Sequence, residues 1–325
     1  MIITILTDHS KHTTTNSFYG IVNNLRNHKD VSRIQIASKG DQLNDDFFNG
    51  LKDSALYGVI VQEEIQHSDQ RIWSQSELID LESCEVILLR LPPPFTIPLM
   101  SKLEQFNHKL IINDPEGIQK TGNKGFLMNF DQYVAPMEIC KTFDDIYDFY
   151  SKFECVLKPL NSYGGKGILR LRKNMVHGSN GTMSLDDFQQ DYYENPVEYL
   201  AMKFLKNVSN GDKRIIVANS EILTSSLRYP GKGKWLCNVA QGGRDEISKV
   251  TAREVEIVEY ISPILMQEGI FYYGLDTIED DNGQRIISEV NTISPGGFTP
   301  AEMKSGLPIT KRFCDLLINH CEKRI

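Results

Sequence analysis

Two carboxylates near the C-terminal end of the chain, Asp276 and Glu289, carry its strongest chemical signal. The stretches 270–278 and 285–291 both read as strands, and Asn282 and Gly283 between them tolerate the positive φ of a tight hairpin turn. A two-residue Asn282-Gly283 loop sets Asp276 directly opposite Glu289, with Asn291 two residues on and on the face of Glu289. Opposed side chains in a sheet lie only ~5 Å apart, where like charges destabilise the pairing. A hard divalent cation reverses that sign, and Mg²⁺ takes a few protein oxygens while leaving positions for phosphates. A solvated acidic face accounts for the same pair without chemistry, so the reading depends on what else the chain brings to this place.

Three glycine-containing loops bring the rest. The segment 161–167 (NSYGGKG) is a hairpin tip in which Gly164 and Gly165 allow several N–H groups to face one anion. Lys166 and, across the strand, Lys158 add positive charge; the spacing of a Walker loop is absent. Gly242 and Gly243 followed by Arg244 combine close backbone approach with an anion clamp. The turn from Ser294 to Gly297 continues directly from Asn291. Hard-metal ligands, lysines and glycine loops without a Walker loop point towards nucleotide phosphoryl transfer.

The elements that must position these groups fall into three regions. From residue 1 to about 113, short apolar runs at 2–7, 34–38, 58–62, 86–90 and 109–112 alternate with longer mixed segments, and a helix is expected near 18–28. That alternation predicts an open α/β domain on a parallel sheet. Arg90 falls at the C-terminal end of one strand, ahead of the stiff Pro92-Pro93-Pro94 exit, where such sheets gather ligands. A second region begins near Thr121, with strands at 155–158 and 168–172 answering each other across the glycine tip. Residues 173–195 read as loops plus a short helix. The third region holds strands near 199–204 and 214–218, and then a helix over 252–268 with Val255, Val258, Ile261 and Leu265 at helical spacing.

Composition bounds the rest. The 325 residues suffice for two or three domains, and no segment approaches the ~20 apolar residues of a membrane span. The opening residues 1–6 are too short and too uncharged for a signal peptide, so a cytoplasmic location is expected. A net charge of −8 argues against general affinity for nucleic acid or anionic membrane. The six cysteines form no CxxC or zinc grouping and read as reduced thiols. His9 and His12, just after the first strand, read as a solvated loop pair.

Taken together, VLKPL at 156–160 with Gly164 and Gly165, NGDKR at 210–214, NVAQGGR at 238–244, GLD at 274–276 and EVN at 289–291 followed by Ser294-Pro295 resemble the bacterial-type glutathione synthetases of the ATP-grasp superfamily. Asn113, Pro115, Asn123 and Lys124 match the family's linker, and Asp8, Ser17, Phe18, Arg90, Pro93, Pro94 and Phe95 match its N-terminal domain, so the resemblance runs nearly end to end. It implies an α/β fold: an open α/β domain over 1–120, then a two-lobed α+β ATP-grasp module. The small lobe, 121–200, carries the phosphate flap, and the large lobe, 201–325, carries the metal and substrate site. ATP then lies between the lobes, its phosphates held by Lys124 and Lys158 under Gly164 and Gly165, its adenine against Met202, Lys203, Phe204 and Leu205, and its ribose on Asp212. Asp276, Glu289 and Asn291 match the ligands of two Mg²⁺ ions, with Mn²⁺ as an alternative; Asn291 also borders the nucleotide. Arg214 and Arg228 match arginines near the acyl-phosphate and the peptide, and Arg244 helps close that site. The partners implied are ATP, a peptide or amino-acid pair and, by family habit, further copies of the chain.

The resemblance implies ligation of γ-glutamylcysteine to glycine. Three departures lie on the substrate side. The family's arginine before the Asn238 motif is replaced by Trp235-Leu236-Cys237, the hinge carries Lys203, and Gly296-Gly297-Phe298 stands where a threonine-containing turn is usual. A ligase for another amino-acid or peptide pair, and a nucleotide-binding protein without catalysis, stay open as alternatives.

Overall fold

The computed structural model describes residues 1–179, 181–231 and 244–325. The expected features between 232 and 243, including Leu236, Cys237, Asn238, Gly242 and Gly243, lie outside the described residues. Three sheets organise the chain. The first consists of β1 (Ile2–Thr7), β2 (Arg33–Ser38), β3 (Leu56–Ile60), β4 (Glu77–Ile79), β5 (Val86–Arg90) and β6 (Leu110–Ile112), in the order β4-β3-β2-β1-β5-β6. Its centre is parallel, but β3 runs antiparallel to β2, and β4 antiparallel to β3. The expected parallel sheet is therefore mixed at one edge: the connection over 39–55, which carries two short helices, delivers β3 beside β2 in the antiparallel sense. Helix α1 (Ser17–Arg26) is capped by Asn16 and buries Phe18, Ile21, Val22 and Leu25 against this sheet.

The second sheet is antiparallel throughout: β7 (Met137–Cys140), β8 (Cys155–Pro159), β9 (Leu169–Arg172), β10 (Met175–Gly178), β11 (Gly181–Ser184) and β12 (Tyr199–Lys203), ordered β11-β10-β9-β8-β12-β7. Strands β10 and β11 replace the loops expected over 173–184. Their side chains are largely exposed at the sheet edge, so no apolar alternation betrays them. Phe143, Ile146, Phe149, Phe188 and Tyr192 from two flanking helices fill the core beneath.

The third sheet, ordered β15-β14-β13-β16-β17, comprises β13 (Asp212–Ala218), β14 (Glu221–Tyr229), β15 (Arg244–Ile247), β16 (Tyr272–Glu279) and β17 (Arg285–Asn291). A helix over Ala252–Gln267 packs Ile257, Val258, Ile261 and Leu265 beneath it, behind a Thr251–Glu254 capping box. The β16–β17 hairpin does pair Asp276 with Glu289, though not by a two-residue turn. Residues 281–283 form the loop, with Gly283 at φ +81° and the Asp280 N–H donating to the Gln284 carbonyl at 2.8 Å. Near the turn, Thr277 pairs with Ile287 and Glu279 with Arg285; Ser288 is then an extra bulged residue that restores the expected partnership.

One apolar core joins the first and third sheets: Ile3, Ile5 and Phe18 pack with Ile216, Tyr272, Phe298 and Phe313. The last two residues of that set belong to helices at Phe298–Ser305 and Ile309–Glu322, which return the chain to the first sheet. Among the described residues, no helix is long and apolar enough to cross a membrane, and the five described cysteines are free and buried.

Candidate active site

A cavity of about 350 Å³ opens between the second and third sheets. Lys124, Lys158, Gly164 and Gly165 line one end; Met202, Lys203, Phe204 and Leu205 line another; Asp212, Arg214, Arg228, Asp276, Glu289 and Asn291 form a charged wall. Among the described residues expected at the site, Lys166 and Arg244 do not line this cavity. Arg244 starts the edge strand β15, is exposed, and lays its guanidinium over the Tyr229 ring at 4.6 Å. Val156, Ile168, Val208 and Ile278 complete an apolar slot that sequence reading did not assign. Only Val156 and Ile278 lie on strands; Ile168 comes just before β9 and Val208 sits in a short 3-10 helix, so no single periodicity marks them in sequence.

The basic end is built by β8 and by the turn after Asn123. Gly164 and Gly165 have φ of +67° and +76°, a conformation that turns backbone N–H groups toward one point. Lys124 Nζ donates to the Ser162 carbonyl, and Lys158 Nζ to the Ser288 carbonyl at 3.0 Å. The Ser288 bulge therefore gives Lys158 its acceptor, on the strand that also carries Glu289. Burial lowers the pKa of both lysines, while the Glu289 carboxylate opposes that shift. Two partly desolvated ammonium groups facing one void favour an incoming polyanion.

The acidic wall is an alternating chain of charges. Asp212 accepts from Arg228 Nε at 2.6 Å and Nη2 at 2.9 Å. Arg228 Nη2 also reaches Asp276 Oδ2 at 2.9 Å, and Arg214 donates to both oxygens of Asp276. Burial pushes the Asp276 carboxyl up, but Arg214 and Arg228 together hold it below the ordinary carboxylate range. Partial burial, with the Asp276 charge adding to it, pushes the Asp212 carboxyl up to about 6 although Arg228 opposes the shift. Asn291 Nδ2 lies 3.4 Å from Asp276 Oδ2.

Among the described residues, no group of three His, Cys, Asp or Glu side chains could hold a metal. Asp276, Glu289 and Asn291 offer oxygen donors alone, few in number, which suits a hard cation completed by phosphate oxygens and water, and not a zinc or iron centre. The donor set therefore fits a divalent ion of the magnesium kind.

The fold and the sequence both have known relatives. A family model described as the prokaryotic glutathione synthetase ATP-grasp domain matches residues 123–306. The glutathione synthetase of Brucella melitensis is 33% identical over 241 residues, 73% of this chain and 74% of that protein. The glutathione synthetase of Buchnera aphidicola is 29% identical over 284 residues, 85% of this chain and 84% of its own. Among solved structures, the D-cycloserine synthetase DcsG superposes with a TM-score of 0.70 at 11% identity, covering 99% of this chain and 100% of its own, a likeness of fold alone. ATP and a divalent metal serve the ATP-grasp chemistry of this family. The chain belongs to the prokaryotic glutathione synthetase family and is an ATP-dependent ligase that forms a C–N bond.

Proposed function

We propose that the protein joins γ-glutamylcysteine to glycine, converting ATP to ADP and phosphate through an acyl-phosphate. The observation that carries this reading is the meeting of two desolvated lysines, a glycine flap, an apolar slot and a two-carboxylate wall around one cavity within the segment that the family model matches. The cysteinyl carboxylate attacks the γ-phosphorus and ADP leaves. The glycine amine then attacks the acyl carbon, phosphate departs, and the amine loses a proton. Lys124, Lys158, Gly164 and Gly165 bind the phosphates; Met202, Lys203, Phe204 and Leu205 bound the adenine; Asp212 takes the ribose. Asp276, Glu289 and Asn291 would hold two Mg²⁺ or Mn²⁺ ions, which when bound neutralise charge on the transferred phosphoryl oxygens. Arg214 and Arg228 orient the acyl-phosphate. The units of the chain are then 1–120, 121–200 and 201–325, in a cytoplasmic homo-oligomer.

The test is ADP release by the purified protein with Mg-ATP, γ-glutamylcysteine and glycine, with products read by mass spectrometry. Glutathione is expected in step with ADP. ADP release that ignores both substrates but responds to another amine or peptide would replace this reading with that of a ligase for a different pair, as the Gly296-Gly297 turn allows.

A further inference from the structure

A gap of about 100 Å³ adjoins the phosphate end of the main cavity and reaches Pro93 in the loop after β5. The two spaces share Lys124, Gly164, Glu289 and Asn291 as walls. Beyond these, the gap is bounded by the 121–123 turn, by Thr292 and Ile293 after β17, and by Tyr163 of the glycine tip. A void of this size has room for several waters, at about 15 Å³ each. Keeping water from the reacting phosphoryl and acyl groups therefore depends on the side chains around the gap.

Three segments of the chain meet over Gly122. A Cβ on that glycine would lie 3.6 Å from the Tyr163 hydroxyl and 3.8 Å from Ile293 Cδ1. The Tyr163 side chain thus crosses from the glycine tip to the turn at Gly122 and stands beside the exit of β17. Along the way its ring passes the Lys124 ammonium, which lies 5.7 Å from the ring centroid. Tyr163 is half-buried, and burial first, then the Glu289 charge, raises its phenol, so the side chain stays neutral at physiological pH. Its hydroxyl enters no hydrogen bond among the described residues, so the side chain acts here through the bulk and apolar faces of its ring.

The limb of the tip that carries Tyr163 is fixed without help from the Lys124 ammonium. The Lys124 N–H donates to the Leu160 carbonyl at 3.1 Å, Asn123 Nδ2 to Asn161 Oδ1 at 3.3 Å, and Ser162 Oγ to the Pro159 carbonyl at 3.2 Å. These bonds persist when phosphates draw the ammonium away from the Ser162 carbonyl. The glycines with positive φ, Gly164, Gly165 and Gly167, all follow Tyr163, so the conformational freedom of the tip lies on its far side. Tyr163 therefore belongs to the fixed wall of the gap and not to the part of the tip that can move.

We propose that Tyr163 seals this gap against water and is the positioning residue that decides the fate of the activated acyl group. This rests on the ligase reading above and deepens it by naming the side chain that protects the intermediate. An acyl-phosphate offers one carbon to two nucleophiles. The acceptor amine forms the amide and releases phosphate. Water attacking the same carbon breaks the same C–O bond, gives back the donor carboxylate and releases phosphate and a proton. Each route consumes one ATP, so a leak is read as ADP formed without amide. An aromatic ring against Gly122 disfavours the second route by excluding the water it needs.

Two readouts test this, one of them independent of any substrate. Ile293→Cys places a thiol beside Gly122, and its labelling by a small methanethiosulfonate is followed at that peptide by mass spectrometry, with a Mg-ATP analogue bound. Adding Tyr163→Ala is expected to speed the labelling about 10-fold or more, and adding Tyr163→Phe to leave it slow. With Mg-ATP, γ-glutamylcysteine and glycine, the native protein and Tyr163→Phe should release about one ADP per glutathione, and Tyr163→Ala more than about two. Mere loosening of the fold lowers ADP and glutathione alike and leaves that ratio unchanged. Labelling equally fast with tyrosine and alanine, or a Tyr163→Ala variant that stays coupled, overturns the proposal. Should Tyr163→Ala not fold, the native protein decides: ADP release with γ-glutamylcysteine that is as fast without glycine as with it overturns the seal, and release at least about 20-fold slower upholds it. Faster labelling in the alanine variant without glutathione from the native protein would uphold the seal and sink the product assignment.

Discussion

Asp276 is shared by Arg214 and Arg228, whereas Glu289, half-buried across the same hairpin, pairs with no cation among the described residues. The two carboxylates therefore differ in readiness: one sits in a balanced network, and the other keeps its charge for a ligand. Glu289→Gln preserves the volume and strand pattern while removing that charge. It is expected to lower kcat by at least about 100-fold, because a metal ligand and its charge are lost at the phosphoryl group. Steady-state rates together with a thermal melt check this. An unchanged melt with most of the activity retained would remove Glu289 from the metal site.

At the scale of elements, the third sheet is pinned to its helix by one buried carboxylate. Glu254, at N3 of the Ala252–Gln267 helix, is fully buried and accepts from Lys213 Nζ and the Thr277 hydroxyl at 2.7 Å each, as well as from the Thr251 N–H. Glu254→Ala strands the buried Lys213 ammonium and is expected to cost about 3–5 kcal/mol, read from urea denaturation. A loss below about 1 kcal/mol would mean that the pair is solvated. Burial raises the Glu254 carboxyl, but Lys213 and Thr277 bring it below the ordinary glutamate value of about 4.5. Its contribution is therefore present above about 4.5 and lost only as pH falls through the lower folded value. The same sheet shows how an element can correct itself: a three-residue turn and the Ser288 bulge cancel, and Asp276 still meets Glu289.

The whole molecule is joined at Asn113. Its side chain donates to the Tyr272 and Thr292 carbonyls at 2.7 and 2.9 Å and accepts from the Phe271 and Tyr272 N–H groups at 2.9 and 3.1 Å. One buried amide thus ties the end of β6 to β16 and to the exit of β17. Asn113→Ala removes all four bonds and is expected to cost on the order of 3 kcal/mol or more. Hydrogen exchange at Phe271 and Tyr272 should accelerate. Exchange that stays slow would show that backbone pairing alone holds the junction.

Local chemistry was legible from the chain itself. The carboxylate hairpin, the glycine tip between β8 and β9, the helix behind Thr251 and five of the six strands of the first sheet follow from turn residues, caps and apolar periodicity, which act over a few residues. Tertiary structure decided what depends on distant neighbours. Strands β10 and β11 exist because an edge is available to pair with, Arg244 lies outside the main cavity because β15 is the far edge of its sheet, and His12 is packed because Phe18 and Trp73 converge on it. The ion-pair chain from Asp212 to Arg214 also required β13, β14 and β16 to lie side by side. Register and pairing across tens to hundreds of residues are set by packing and not by local propensity, so no window of sequence contains them.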